Sequence, residues 1–217
     1  MARAPRVIAA WICGLAMVVI PGFGGQPQSV PDTVVLYSKF DREPPNVVRA
    51  ALQDELDSIM TPLGLSFEWR DLNGHRHEPA IESAVISFKG LCDAVGPTSH
   101  SISSLALGST HISKGVILPF GDVDCDGIRF FLHRGLGSLS PADRQQAYGR
   151  ALARVLAHEL YHIFADTTRH GSCGVGKETY SVHDLFASDF RFGGEESQAL
   201  LNSRAHEFLE RGRDLPD

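Results

Sequence analysis

Basic residues are scarce in this chain of 217 residues. Lys and Arg together number 20 against 26 Asp and Glu, which gives a formal net charge of −6 at pH 7, and no basic stripe runs along the sequence. This balance argues against nucleic acid as a partner, because surfaces that bind nucleic acid need clustered positive charge. Internal repeats and low-complexity tracts are also absent. With 43% hydrophobic and 21% charged residues, the composition is that of a single soluble globular domain.

Charged residues are missing from positions 7–20, an apolar run that follows Arg3 and Arg6 and precedes the mostly small residues 21–25. This pattern is typical of a secretory leader, and the run is short for a membrane span. We therefore expect residues 1–25 to be a signal peptide and residues 26–217 to be the mature domain. We also expect a secreted or periplasmic protein without a stable membrane span after removal of the leader. A buried helix or a single membrane anchor is the alternative interpretation of the run.

Cysteine is also scarce, with four residues in the chain. Cys13 lies in the expected leader, so Cys92, Cys125 and Cys173 remain in a chain that should reach an oxidising compartment. We expect a disulfide between Cys92 and Cys125, because both lie in the turn-rich region before a long predicted helix. Cys173 is then a free thiol, an alternative disulfide partner or an additional metal ligand.

Residue patterns predict alternating strands and helices along the chain. Short β-branched and aromatic runs predict strands at 33–40, 65–70, 84–89, 105–113, 115–120 and 128–133. Apolar residues at helical spacing predict helices at 46–60, 141–165, 181–189 and 194–211. Ser140 and Pro141 are typical of the N-cap and first position of the longest of these helices.

That long helix carries the motif His158-Glu159-x-x-His162, and His170-Gly171 follows eight residues after its last histidine. Residues four apart lie on one face of a helix, so both imidazoles can reach one metal ion. Glu159 is offset by one position, so its carboxylate can lie beside the ion without binding it. The motif therefore predicts two zinc ligands and a general base. The plain alternative is that the two histidines face solvent or cap the helix.

A catalytic zinc ion usually has three protein ligands and one water molecule. His170 is the favoured third ligand, because it is close in sequence and the following glycine lets the chain turn back beneath the helix end. The alternatives are Glu178, His183, Glu195 and Glu196, and the less favoured loop residues His75 and His77.

Three further residues are candidates for supporting roles at such a site. Tyr180 and His183 could donate a hydrogen bond to an oxyanion, although both could equally be packing residues. Asp166 could orient a ligand imidazole, and its alternative is an ordinary polar residue at a helix end.

The segment Asp122-x-Asp124-x-Asp126-Gly127 matches the first half of a calcium-binding loop. The closing position holds His133 where such a loop has Glu, and the flanking segments have strand patterns rather than helical ones. We therefore expect a solvated acidic turn, with structural calcium as the less favoured interpretation.

The H-E-x-x-H motif with a downstream His-Gly resembles the zincin metallopeptidases, and most closely the metzincin group. This resemblance implies an α+β fold in which a mixed β-sheet packs on a long active-site helix, with a C-terminal helix completing the domain. It implies one catalytic Zn²⁺ ion and a peptide or protein substrate, with Glu159 as general base. The chain departs from the metzincin pattern in two ways. His170 lies further from His162, and no methionine follows Met60, so the methionine turn of that group is missing.

Two other functions are compatible with the same ligands. A non-catalytic secreted zinc-binding module would close the metal site with a fourth ligand such as Cys173. A hydrolase acting on non-peptide substrates would use the same water chemistry. The sequence carries no prediction of the oligomeric state.

Overall fold

The computed structural model describes residues 32–74, 82–96 and 106–203. The strands are β1 (Asp32–Arg42), β2 (Leu65–Asp71), β3 (Ser83–Leu91), β4 (Gly108–Ser113) and β5 (Val116–Asp124). The helices are α1 (Asn46–Met60), α2 (Cys125–Gly137), α3 (Pro141–Phe164), α4 (Val182–Phe186) and α5 (Gly194–Leu201). The expected leader and the loop histidines His75 and His77 lie outside the described residues. The last helix is predicted at 194–211, but α5 ends at Leu201 with Asn202 as its C-cap, and residues 204–211 lie outside the described residues. Within the described ranges, every helix is too short or too polar to cross a membrane.

The five strands form one mixed sheet in the order β2-β1-β3-β5-β4. β1 pairs in parallel with β2 and β3, β3 pairs in parallel with β5, and β4 alone runs antiparallel, at the edge beside β5. The interior strand β1 buries the continuous apolar segment 34–37, as expected for a parallel strand covered on both faces. The mixed sheet that the resemblance implies and the long helix that the residue pattern predicts are both present.

Helix α3 lies against α1 and against strands β4 and β5. The Ser140 hydroxyl accepts a hydrogen bond from the Asp143 amide at 3.3 Å, and Pro141 occupies the first turn, so the helix begins where the sequence predicts. A Cβ atom on Gly149 would lie 2.5 Å from the Val48 carbonyl oxygen. The absence of a side chain at this position lets α3 pack closely against α1.

The prediction of a strand at 128–133 is wrong, because this segment belongs to helix α2. The Asp124 side chain caps the helix by accepting a hydrogen bond from the Gly127 amide at 2.8 Å. Ile128, Leu132 and Leu136 then recur every four residues and are buried on one face. A short apolar run does not distinguish a strand from a buried helix by itself, and here the cap and the tertiary packing decide.

The segment expected to form an acidic turn is instead the end of β5 and the first turn of α2, and its three carboxylates have different partners. Asp122 contacts His111 at 2.9 Å and Lys89 at 3.4 Å, both on neighbouring strands. Asp124 caps α2, and Asp126 forms an ion pair with Arg129. Each of the three carboxylates therefore has a protein partner: Asp124 caps α2, and Asp122 and Asp126 contact basic side chains.

Cys92 and Cys125 form a disulfide, with their Cα atoms 4.9 Å apart. This is the pairing that the sequence predicts. It ties the end of β3 to the first residue of α2 and therefore helps to place α2 beside the sheet. Cys173 is a free, exposed thiol.

Arg154 provides a test of the packing around α3, because its side chain is completely buried. Its guanidinium bonds the Glu55 carboxylate at 2.7 Å and the carbonyl oxygens of Asp184 and Ala187, each at 2.8 Å. Arg154→Leu should lower the free energy of unfolding by about 3 kcal/mol, because it leaves the Glu55 carboxylate and two carbonyls poorly paired. Urea denaturation measures this loss, and Arg154→Leu/Glu55→Leu should recover part of it. A loss below about 1 kcal/mol in the single variant would contradict this packing account.

Candidate metal centre

Three histidine side chains converge at the C-terminal end of α3. Ligand-type nitrogen atoms of His158, His162 and His170 all lie within 4.8 Å of one another. The Nε2 atoms of His158 and His162 are 3.0 Å apart. Two nitrogen ligands of a tetrahedral zinc ion, each about 2.0–2.1 Å from the metal, lie about 3.3 Å apart. The three rings are therefore close enough to one another to hold one metal ion.

Main-chain carbonyl groups orient the two helical imidazoles. His158 Nδ1 lies 2.8 Å from the Val175 oxygen, and His162 Nδ1 lies 2.7 Å from the Thr167 oxygen. A carbonyl oxygen can only accept a hydrogen bond, so each Nδ1 carries the proton and each Nε2 keeps its lone pair for a metal. At these two rings, carbonyl oxygens occupy the orienting position for which Asp166 was one candidate.

Burial also favours the ligating form of these imidazoles. His158 and His162 are each 8% exposed. Burial lowers the pKa of His158 to about 4 and lowers the pKa of His162, because the charged imidazolium is poorly solvated there. Both rings are thus neutral at physiological pH, which is the form that binds a metal ion.

The loop after α3 brings His170 to the other two rings. Its ring stacks on His158 at a centroid distance of 5.2 Å and meets His162 edge-on at 4.9 Å. The Gly171 amide donates a hydrogen bond to the Gly176 oxygen at 2.7 Å, which closes the loop. Gly174 has φ of 65°, and a Cβ there would lie 1.9 Å from the Arg191 oxygen, so only glycine fits at this crossing. His170, the favoured third ligand in the sequence, is the residue that joins the cluster.

Among the described residues, the other candidates for third ligand do not belong to the cluster. Glu196 is buried beneath the loop, where its carboxylate packs against Gly171, Gly176 and Gly193. His183 is exposed on α4 and is not among the residues that line the cavity beside the cluster. Neither residue belongs to the three-histidine cluster. Glu195 is exposed on α5, and Glu178 is exposed and reaches the cavity wall.

Glu159 lies beside the three histidines in a buried position on α3. The Thr110 hydroxyl on β4 donates a hydrogen bond to the Glu159 carboxylate at 2.8 Å. A Cβ on Gly108 would come within 2.6 Å of the same carboxylate, so this glycine leaves room for it. Burial raises the pKa of Glu159 to about 7. The group is therefore suited to exchanging a proton near neutral pH.

A cavity of about 480 Å³ opens beside the cluster and is lined by all three histidines and Glu159. Tyr180 also lines it, with its ring edge-on to His158 at a centroid distance of 5.7 Å. The Tyr180 hydroxyl donates a hydrogen bond to the Val175 oxygen, the same atom that orients His158. Burial raises the pKa of Tyr180, so the hydroxyl stays protonated and able to donate.

Sequence reasoning missed several residues that shape this site. Thr110 and Gly108 lie on the edge strand, far from the motif in sequence, and neither belongs to a recognisable pattern. The carbonyl groups of Val175 and Thr167 leave no residue signature, because any amino acid supplies one. Only the sheet register and the loop path could have revealed them.

Comparisons of the chain with models of protein families, with curated proteins and with solved structures find no match in any of the three.

Proposed function

We propose that this protein is a secreted zinc-dependent peptidase, with His158, His162 and His170 holding the ion and Glu159 as general base. The observation that carries the proposal is a cluster of three imidazoles in the wall of an open cavity that the Glu159 carboxylate also lines. Structural zinc sites are closed by four protein ligands, whereas catalytic sites keep one position for water. Among the described residues, the cluster contains no fourth side-chain ligand and does not include Cys173. A site with three ligands favours catalysis over a purely structural role.

The residues around the cluster have complementary roles in hydrolysis. A bound zinc ion would lower the pKa of a water molecule and polarise the carbonyl group under attack. Glu159 would take the proton from that water and then pass it to the leaving amine. Thr110 would hold the Glu159 carboxylate in place through its hydrogen bond. The Tyr180 hydroxyl could turn from the Val175 oxygen to a developing oxyanion.

The edge strand β4 supports a peptide as substrate. It forms the outer edge of the sheet, and Gly108, Ser109, Thr110 and Ile112 of this strand line the cavity. An exposed edge strand can pair through its main chain with an extended peptide. A peptide added there would run past the three histidines, which would bring its carbonyl groups close to the proposed ion.

A proteome-derived peptide library incubated with zinc-loaded protein tests this proposal directly. We expect new peptide termini by mass spectrometry, their loss after treatment with a chelator, and their return when zinc is added. A parallel screen of ester substrates covers the non-peptide alternative. Ester cleavage without peptide cleavage would overturn the peptide assignment, and neither activity in zinc-loaded protein would favour a binding module.

Thr110 offers a test of the Glu159 environment. Thr110→Val removes the hydrogen bond to the carboxylate and keeps the side-chain shape, so the rate of peptide cleavage should fall about tenfold or more. Zinc content should not change, because Thr110 lies outside the ligand cluster. Thr110→Ser retains the hydroxyl and should restore most of the rate. Equal kcat values for Thr110→Val and the wild type would contradict this role.

A further inference from the structure

One part of the cavity wall beside the metal centre is apolar. Ala106 and Leu107 precede β4, Phe131 lies on α2, Val155 lies on α3, and Ile112 and Ile117 lie on the edge hairpin. Together these residues supply a surface to which an apolar side chain can transfer from water with a gain in free energy. We infer that the site selects peptides with a large apolar side chain next to the cleaved bond, and that Phe131 limits its size. This inference rests on the proposed peptidase function.

Val155 places the apolar surface close to the reacting groups. It lies four residues before Glu159 on α3, so the two side chains are stacked one turn apart. A Cβ on Gly108 would lie 2.9 Å from the Val155 side chain and 2.6 Å from the Glu159 carboxylate. The strand therefore passes directly over both residues. A substrate side chain that reaches Val155 thus belongs to a residue adjoining the bond that Glu159 would help to cleave.

Phe131 is the largest of the apolar residues in this wall. It is partly buried and packs against the hydrophobic core, so its ring cannot swing away without losing those contacts. Helix α2 is also anchored at its first residue by the Cys92–Cys125 disulfide. The position of the ring is therefore fixed by the fold, which is the condition for a side chain to set a size limit.

Charges in the cavity wall do not favour a charged side chain at this place. Lys177 lines the cavity, but its ammonium group is paired with Asp184 at 2.7 Å. Glu159 is reserved for proton transfer, and Glu178 is exposed on the loop after the metal cluster. A charged side chain placed against Val155 and Phe131 would lose hydration on an apolar surface, and an Asp or Glu side chain would also lie near the carboxylates of Glu159 and Glu178.

A peptide series that differs at one residue on either side of the cleaved bond tests this inference. With Ala, Leu, Phe, Lys and Glu at each position in turn, we expect kcat/KM for Leu or Phe on one side to exceed that for Ala by about 10–100-fold. Lys and Glu on that side should be poorer than Ala. Mass spectrometry identifies the cleaved bond and therefore the side that carries the preference.

Phe131→Ala should allow the site to accept a larger substrate side chain. The kcat/KM for the Phe peptide divided by that for the Leu peptide should therefore rise about tenfold. Phe131→Leu is a milder change that should move the ratio in the same direction. Phe130→Ala is the matched control, because Phe130 is its neighbour on α2, is 37% exposed and does not line the cavity. Its ratio should equal that of the wild type.

The outcomes separate this inference from the function on which it rests. Cleavage of no peptide by zinc-loaded wild-type protein would remove the peptidase proposal itself. Cleavage of all peptides at similar rates would leave the peptidase in place and overturn the apolar selection. A wild-type ratio of Phe to Leu in both Phe131 variants would show that another residue sets the size limit.

Discussion

Glu159→Gln is expected to lower the rate of peptide cleavage by about 10²–10⁴-fold, the range that general acid–base catalysis contributes. The amide has almost the same shape and can still accept the hydrogen bond from Thr110, so the local packing should survive. What it cannot do is take a proton from water near neutral pH. The measurement is kcat/KM on a peptide that the wild-type protein cleaves, at equal zinc content.

The control for this substitution is the zinc affinity of the variant. Because Glu159 is not one of the three ligands, the Gln variant should bind one zinc ion with an affinity close to that of the wild type. Loss of both zinc and activity would mean that Glu159 supports the metal rather than the chemistry. Full cleavage by the zinc-loaded variant would remove Glu159 as the base.

His170→Ala is expected to weaken zinc binding by about a hundredfold or more, because it removes one of three ligands, while loss of an outer-shell partner alone costs 10–100-fold. The helix should remain intact, because His170 lies on the loop beyond its end and is exposed. Competition with a chelator of known affinity measures the change. His158→Ala and His162→Ala should weaken binding at least as strongly.

Two exposed histidines serve as controls for this prediction. His111 on β4 contacts Asp122, and His183 lies on α4, so neither belongs to the three-histidine cluster. Alanine at either position should leave the zinc affinity unchanged. If His183→Ala and His170→Ala weakened binding equally, the ligand set would have to be revised.

Local patterns were sufficient to predict the parts of the site that belong to one helix. The spacing of His158 and His162 determines that they share a face, and Ser140 with Pro141 marks where α3 begins. His170 was also predictable, because only a few residues separate it from the helix end. These inferences depend on short stretches of chain, which is why sequence alone could make them.

Long-range packing decided the features that sequence could not predict. The segment 128–133 has the residues of a strand, yet Asp124 caps it and its apolar face packs as helix α2. Thr110 reaches Glu159 only because β4 lies at the sheet edge over α3. The orienting carbonyl of Val175 depends on the path of a glycine-rich loop. Each of these follows from contacts between residues far apart in the chain.

The most direct test of the account is the zinc K-edge absorption spectrum of protein loaded with one equivalent of zinc. We expect three imidazole nitrogen atoms and one water oxygen at about 2.0–2.1 Å from the zinc ion, with no sulfur neighbour. A sulfur scatterer at about 2.3 Å would contradict this expectation, because Cys173 would then close the site. Failure of the protein to retain any zinc would contradict it as well.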